Sequence, residues 1–408
     1  MSRLLENVAK DILSKSKVAV PRYLVASNVS EAREAAEQLG GEVVVKALVP
    51  VGKRGKAGAV KFASSPAEAE AVAQTLLGLN VRGFPVGKLI VEEKVDIARE
   101  LYVSVTYDSS AKAPVVIASA HGGVDIEEVA ARDPGLIYTC QVDPFRGFSP
   151  YQSKEIWSEL GLEGNDLRSA TDILVRIYDA FEKSDASILE VNPLAVTRDG
   201  KAVAAAVLMG VDDDALYRHP ELQGLVEPGS DRSWRPMTAL EKQIVEVDQA
   251  DPYRGTARYT EMDDGDIGFF CGGGGGSLLM FDTLRKYGGA PANYTEFGGN
   301  PTERKVYGLA KGILSKPGVK GFFLSANITN NTQTDVVAEG IIRAFKDMDI
   351  NPATYPVVIR LAGVNEPRAK ELFDAAGIEY HGDDVTMEDA ARLMVEKMKK
   401  AYPGYGSA

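Results

Sequence analysis

Residues 266–282 read DIGFFCGGGGGSLLMFD, and this stretch decides the fold class of the C-terminal half. The apolar run that ends on Cys271 has the length of a buried strand. Five glycines follow at 272–276, and from Ser277 the apolar residues recur with helical period. Strand, glycine turn and helix in that order open a βαβ unit, which needs a parallel neighbour.

The residues downstream repeat the rhythm. Strand KGFFLSA (320–326), a polar turn, helix DVVAEGIIRAFKDM (335–348), strand YPVVIRLA (355–362), helix EPRAKELFDAAG (366–377) and a last helix capped by Thr386 follow one another. Strands that alternate with helices predict a doubly wound parallel sheet over residues 265–408, with ligands at the carboxyl ends of its strands. Upstream, residues 1 to about 220 mix the two types irregularly, which predicts an α+β domain over 1–235. It includes strands EVVVKALVP (42–50), KLIVEEKV (88–95), ELYVSVTYD (100–108) and ASILEVNPL (186–194). A helix begins at Ser65, with Pro66 at its first position and Glu68 closing a capping box. Between the domains, Pro228, Gly229, Pro236, Pro252 and Gly255 break any long periodic element, so residues 236–264 are expected to form a linker.

At 408 residues, 45% hydrophobic and 25% charged, the chain has ordinary globular composition and more length than one core fills. Two cysteines, Cys140 and Cys271, support neither a disulfide framework nor a zinc site, and a reducing cytoplasm is the expected setting. No apolar run is long enough for a membrane span, and a net charge of −12 opposes general affinity for nucleic acid. Small molecules and proteins remain as partners. An acidic chain that binds a phosphate compound must gather its cations locally, because a positive field is needed only where the phosphates sit.

Such a gathering stands at KALVPVGKRGKAGAV (46–60). Lys46 lies on a strand, while Lys53, Arg54 and Lys56 share a turn with Gly52, Gly55 and Gly58. Glycines admit backbone N–H groups to phosphate and cations neutralise it, although a solvated basic turn has the same composition. In EEKVDIARELYVSV (92–105), Glu92 ends one strand and Glu100 precedes the next, either as exposed strand ends or as acceptors for adenine or ribose. SILEVNPLAV (187–196) sets Glu190 and Asn192 on one strand face, oxygen ligands of the kind magnesium takes beside phosphates. The glycine run before Ser277 suits an anion at a helix N-terminus: phosphate, phosphohistidine or carboxylate. SANITNNTQTD (325–335) follows the next strand, and its Asn327, Asn330, Asn331 and Thr332 suit a carboxylate or hydroxyl of a small acid, or simply form an Asx-rich turn.

In order and spacing, VVKALVPVGKRGKAG (44–58), IARELYVSV (97–105), HGGVDIEEVA (121–130) and LEVNPLAV (189–196) resemble the ADP-forming succinyl-CoA synthetase β subunits. The resemblance implies an ATP-grasp domain followed by a flavodoxin-like CoA-ligase domain. It implies further that Lys46, Lys53, Arg54 and Gly55 hold ATP phosphates, that Glu92 and Glu100 touch the adenosine, and that Gly122 and Gly123 cover the nucleotide. Asn192 would bind Mg²⁺, with Glu190 beside it as the catalytic carboxylate. The C-terminal segments CGGGGGSLLMFDT (271–283), APANYTEFGGNPTE (290–303) and ANITNNTQ (326–333) are closer to ATP-citrate lyase and its two-subunit forms. That likeness places Gly272, Gly273, Gly274, Gly275, Ser277, Asn330, Asn331, Thr332 and Arg360 around a carboxylic acid or a phosphohistidine loop.

The implied chemistry carries a phosphoryl group from ATP to a histidine of an α-type partner and then to a carboxylic acid, whose acyl phosphate CoA attacks. That partner would carry the histidine and most of the CoA, since His121, His219 and His381 lie in no context like the family's phosphohistidine loop and the chain shows no recognisable CoA-binding α half. Two departures bear on this expectation. Ala206 stands where both relatives place an aspartate that binds Mg²⁺, and Leu361 stands where citrate-using relatives have a second arginine beside Arg360. A di- or tricarboxylic, hydroxylated acid is the expected substrate class. A citrate-activating or citrate-cleaving subunit and a non-catalytic regulatory or scaffolding subunit are the two alternatives, the latter favoured by Ala206.

Overall fold

Val43–Ala47 is buried at all five positions, the charged Lys46 included, behind a β-branched run of three valines. It pairs antiparallel with Leu89–Glu93 and Val60–Ala63, and Tyr23–Ala26 completes a four-stranded sheet. Helices Val29–Leu39 and Pro66–Leu77 cover it over a small core of alanines and valines. Ser65 caps the second helix by accepting from Glu68 N–H, but the Glu68 carboxylate reaches back to Ser64 N–H at 2.8 Å. The expected reciprocal box is therefore displaced by one residue.

The computed structural model describes residues 2–222, 224–226 and 235–406. By contacts the chain divides into Met1–Pro236 and Met237–Ala408. Pro228 and Gly229 lie outside the described residues. A second, seven-stranded antiparallel sheet in the first unit includes Ile97–Asp108, Ala113–Ser119, Ala186–Thr197 and Val207–Val211. Helix Gly164–Lys183 buries Ile173, Leu174, Ile177 and Phe181 against it, the i, i+4, i+8 stripe of a helix on a sheet.

In the second unit, Ile267–Gly272 lies between Asn293–Gly298 and Gly321–Gln333, and Val357–Val364 and Tyr380–His381 continue the sheet, all parallel. Phe270, Phe322 and Leu324 enter one apolar cluster, while Phe269, Cys271 and Phe323 enter another. The alternation puts apolar residues on both faces, so helices must cover both, as expected for a doubly wound sheet. The linker expectation is overturned. Residues 236–264 contain helix Ala239–Gln249 and strand Thr256–Glu261, which pairs antiparallel with Asn293–Gly298 and belongs to the second unit. Of the prolines and glycines that suggested a linker, Pro236, Pro252 and Gly255 flank these short elements. Among the described residues, no helix is long and apolar enough to cross a membrane.

Candidate functional site

In the first unit a cavity of about 490 Å³ is lined by Lys46, Lys53 and Arg54, by Glu92 and Glu100, and by Glu190 and Asn192. Two sheets supply these residues. Val44 pairs with Glu92 and Lys46 with Ile90, so Lys46 and Glu92 are diagonal neighbours on one face. The Lys46 ammonium pairs with the Glu92 carboxylate, lies 3.5 Å from Glu6 Oε1 and donates to the Ala205 carbonyl at 2.9 Å.

Glu92 was expected to touch the adenosine. It is buried instead, with its other oxygen paired to Lys10, whose side chain is wholly buried. Glu6 organises the same cluster: Lys10 stands 3.2 Å from it, Arg54 Nη2 donates to its other oxygen, and Val207 N–H donates at 3.3 Å. Burial alone would raise the Glu6 carboxyl, but Lys46, Arg54 and Lys10 together hold it well below the usual carboxylate range. Glu6 and Lys10 were missed in the sequence. Their i, i+4 spacing inside helix Glu6–Lys15 was the available signal, and it is equally common on solvated helices.

The basic turn faces an acidic helix. Lys53 lies 3.0 Å from Asp125 and 2.8 Å from Glu127, and Lys56 lies 2.9 Å from Asp125. Hydrogen bonds from Lys56 and then Lys53 draw the Asp125 carboxyl down to about 2. The segment before Ile126–Arg132 sits tightly on the sheet: Gly122 N–H donates to Glu100 O at 2.9 Å, and a Cβ on Gly122 would stand 2.2 Å from Leu101 O. Gly123 has φ +70° and donates to Asn192 Oδ1 at 2.8 Å, and Asn192 Nδ2 donates to Val124 O at 3.0 Å. The Gly122–Gly123 turn is thus held against Glu100 and Asn192. Burial raises the Glu190 carboxyl, and Tyr102 OH donates to it at 3.2 Å.

In the second unit the helix after the glycine run opens at Gly274, three residues before Ser277. Gly272 ends the strand, and Gly273, at φ +85°, occupies the N-cap with no side chain to offer. Three glycines form the first turn, leaving its N–H groups uncovered. Ser277 is buried, and its hydroxyl bonds the Gly273 and Gly274 carbonyls at 2.8 and 2.9 Å and Tyr294 OH at 2.8 Å.

The expected loop at Asn330, Asn331 and Thr332 is the far end of strand Gly321–Gln333, whose register with Val357–Val364 shifts twice there. Asn330 and Asn331 are exposed while Thr332 is buried, so the irregular strand places Asn330 and Thr332 in different surroundings. Asn327 is the amide next to the glycine helix, since a Cβ on Gly276 would lie 3.2 Å from its side chain. Arg360 is buried, and its guanidinium donates to the Val385 carbonyl at 2.9 Å and to the Ala326 carbonyl. It ties strand Gly321–Gln333 to the bend before helix Met387–Ala401, with its donors on backbone carbonyls. Leu361 points into the apolar core.

Residues 3–196 match the family model described as an ATP-grasp domain, and residues 235–389 match the one described as ATP citrate lyase citrate-binding. An ATP-grasp domain followed by an α/β domain of CoA-ligase type defines the nucleotide-handling subunit of an acid–CoA ligase. The chain is 41% identical over 393 residues to the succinate–CoA ligase [GDP-forming] subunit beta of Thermus thermophilus, covering 96% of this chain and 98% of that one. It is 38% identical over 399 residues to the [ADP-forming] subunit beta of Rubrobacter xylanophilus, covering 96% and 98%. It belongs to the succinate–CoA ligase β-subunit family. The ATP citrate lyase of Methanothrix soehngenii, solved with citrate and coenzyme A, superposes with a TM-score of 0.79 at 20% identity. That superposition covers 97% of this chain and 100% of that one, and shows a shared fold.

Proposed function

We propose that this chain is the β-type subunit of an ADP-forming ligase that joins a hydroxylated di- or tricarboxylic acid to CoA. Its work is done with an α-type partner that carries the phosphohistidine and most of the CoA site. The observation that supports this most is the clustering of Lys46, Lys53 and Arg54 around one cavity in a chain related along its whole length to such subunits. An ATP-grasp domain implies ATP and magnesium as the generic ligands of its class.

In this reading ATP phosphates displace the exposed Glu127 from Lys53 and join the buried Glu6 on Arg54, and Glu100 and the Gly122–Gly123 turn bound the nucleotide. Glu190, half-buried with a raised carboxyl, holds a proton or a hydrogen bond toward the partner's imidazole. The phosphoryl group leaves ATP for that imidazole, then moves to the acid, and CoA thiolate expels phosphate from the acyl phosphate. The parallel strands, numbered within their own unit, run 2-1-3-4-5, which we read as flavodoxin-like. The acid then sits at the strand ends, where the first turn of Gly274–Lys286 offers N–H groups and Asn327 and Asn330 offer amides. A citrate-type acid is the second reading, favoured by the match of residues 235–389. The two free thiols, Cys140 and Cys271, suit the cytoplasm.

The test is to co-purify the chain with its α partner and assay acyl-CoA formation across a panel of di- and tricarboxylates. Turnover with a hydroxylated acid above succinate supports the reading. ATP binding without acyl-CoA from any acid would leave a regulatory subunit instead.

A further inference from the structure

The donor set around Asn192 and Ala206 does not suit a metal ion held by the protein. Val191 pairs with Val207, and Asn192 N–H donates to Ala206 O at 3.0 Å, so positions 192 and 206 face each other at the cavity. A carboxylate at 206 would stand beside the Asn192 amide and complete a two-ligand site; a methyl group stands there instead. The wall continues with Ala205, Val207 and Leu208, and Leu208 packs 3.1 Å from where a Gly52 Cβ would be. Asn192 is itself occupied, its oxygen accepting from Gly123 N–H and its nitrogen donating to Val124 O.

Of the other acids on the cavity, Glu93 is paired with Arg22 and Glu190 accepts from Tyr102 OH, while Glu100 is exposed. Glu6 and Glu92 are paired with Lys10, Lys46 and Arg54, and Asp125 and Glu127 are paired with Lys53. Among the described residues no cluster of three histidine, cysteine, aspartate or glutamate side chains is placed to hold a metal. A cation already stands next to the site, because the Lys46 ammonium donates to Ala205 O, one residue from Ala206. A magnesium ion needs near-octahedral oxygen ligation and keeps its waters unless a carboxylate replaces them.

Resting on the nucleotide reading above, we propose that this chain holds the nucleotide phosphates with side-chain cations alone. Any magnesium ion that accompanies them is ligated by phosphate and water, not by the protein. Lys46, Lys53, Arg54 and Lys56 supply the charge: Lys53 and Lys56 exchange their exposed partners Glu127 and Glu128 for phosphate oxygens, while Lys46 and Arg54 keep their buried carboxylates and take phosphate as a further acceptor. The exposed carboxylates return to water, so no uncompensated charge is left buried.

The test is calorimetric titration of the full chain with AMP-PNP, in millimolar magnesium and again in EDTA, for the native protein and for Ala206→Asp. The native affinity in EDTA is expected to lie within about threefold of that in magnesium, or to be tighter, because the uncomplexed nucleotide carries more charge. Ala206→Asp is expected to bind at least about tenfold more tightly in magnesium than in EDTA, since a protein ligand now joins the metal. Native binding that weakens about tenfold or more in EDTA would overturn the proposal while leaving the nucleotide reading intact. Absence of binding in both conditions would sink the nucleotide reading and the proposal with it. If Ala206→Asp fails to melt cooperatively, the native comparison decides by itself.

Discussion

Two glycine-rich segments of this chain offer themselves to anions, and they do so by opposite means. In residues 52–58 the glycines only make room, and the attraction comes from Lys53, Arg54 and Lys56, each already matched to a carboxylate. In residues 272–276 no cation is present in the run, and what is offered is the N–H groups of a helix's first turn. A site built from charge must be neutralised while empty, so it draws acids from distant elements and becomes part of what holds the fold together. A site built from backbone dipoles needs no such partners, and its neighbours are free to vary with the substrate.

Breaking the charged site should therefore cost the most. Glu6→Gln leaves Lys10, Lys46 and Arg54 short of one buried carboxylate, and a loss of about 3 to 5 kcal/mol in urea unfolding at neutral pH is expected. The native protein should also show an acid limb that the variant lacks. The folded Glu6 value is depressed, so its contribution is complete above the unfolded value of about 4.3 and is lost as pH falls through the folded one. Equal stability of the two proteins at neutral pH would show that the cluster is not a structural unit.

Arg54→Ala separates binding from stability, because Lys10 and Lys46 still face Glu6. Loss of a charge-assisted contact should weaken ATP binding by about 1.5 to 3 kcal/mol, read by calorimetry. Unaltered affinity would remove the basic turn from the phosphate site.

In the second unit the expected effects are smaller and fall on a different quantity. Replacing Asn327 or Asn330 with Ala should raise KM for the acid by roughly tenfold, with ATP affinity unchanged. Ser277→Ala should do the reverse, costing about 0.5 to 1.5 kcal/mol of stability through its lost hydrogen bonds while KM for the acid stays put. A KM change in Ser277→Ala alone would restore Ser277 to the substrate site. The smallest effect belongs to Lys56→Ala: Lys56 and Glu128 are exposed and Asp125 keeps its pair with Lys53, so no measurable shift in melting temperature is expected at moderate salt.

The sequence alone determined the two-part architecture, because strand runs and helical periods depend only on local burial, and it located the basic turn, Glu190 and Asn192. It also showed Ala206 and Leu361 where relatives differ. Tertiary structure decided the rest. Glu6 and Lys10 became buried partners of Lys46, Arg54 and Glu92 only because the fold brings positions 6, 46, 54 and 92 into one cavity wall. Ser277 and Arg360 looked like substrate ligands, yet Ser277 bonds carbonyls of its own first helical turn and the Tyr294 hydroxyl, and Arg360 donates to the carbonyls of Val385 and Ala326, which the fold brings beside it. The residues at 236–264 looked like a linker because proline and glycine end short elements as readily as they prevent them. A residue's type states which bonds it is able to make; which partner comes within 3 Å is set by the distant chain segments that fold against it.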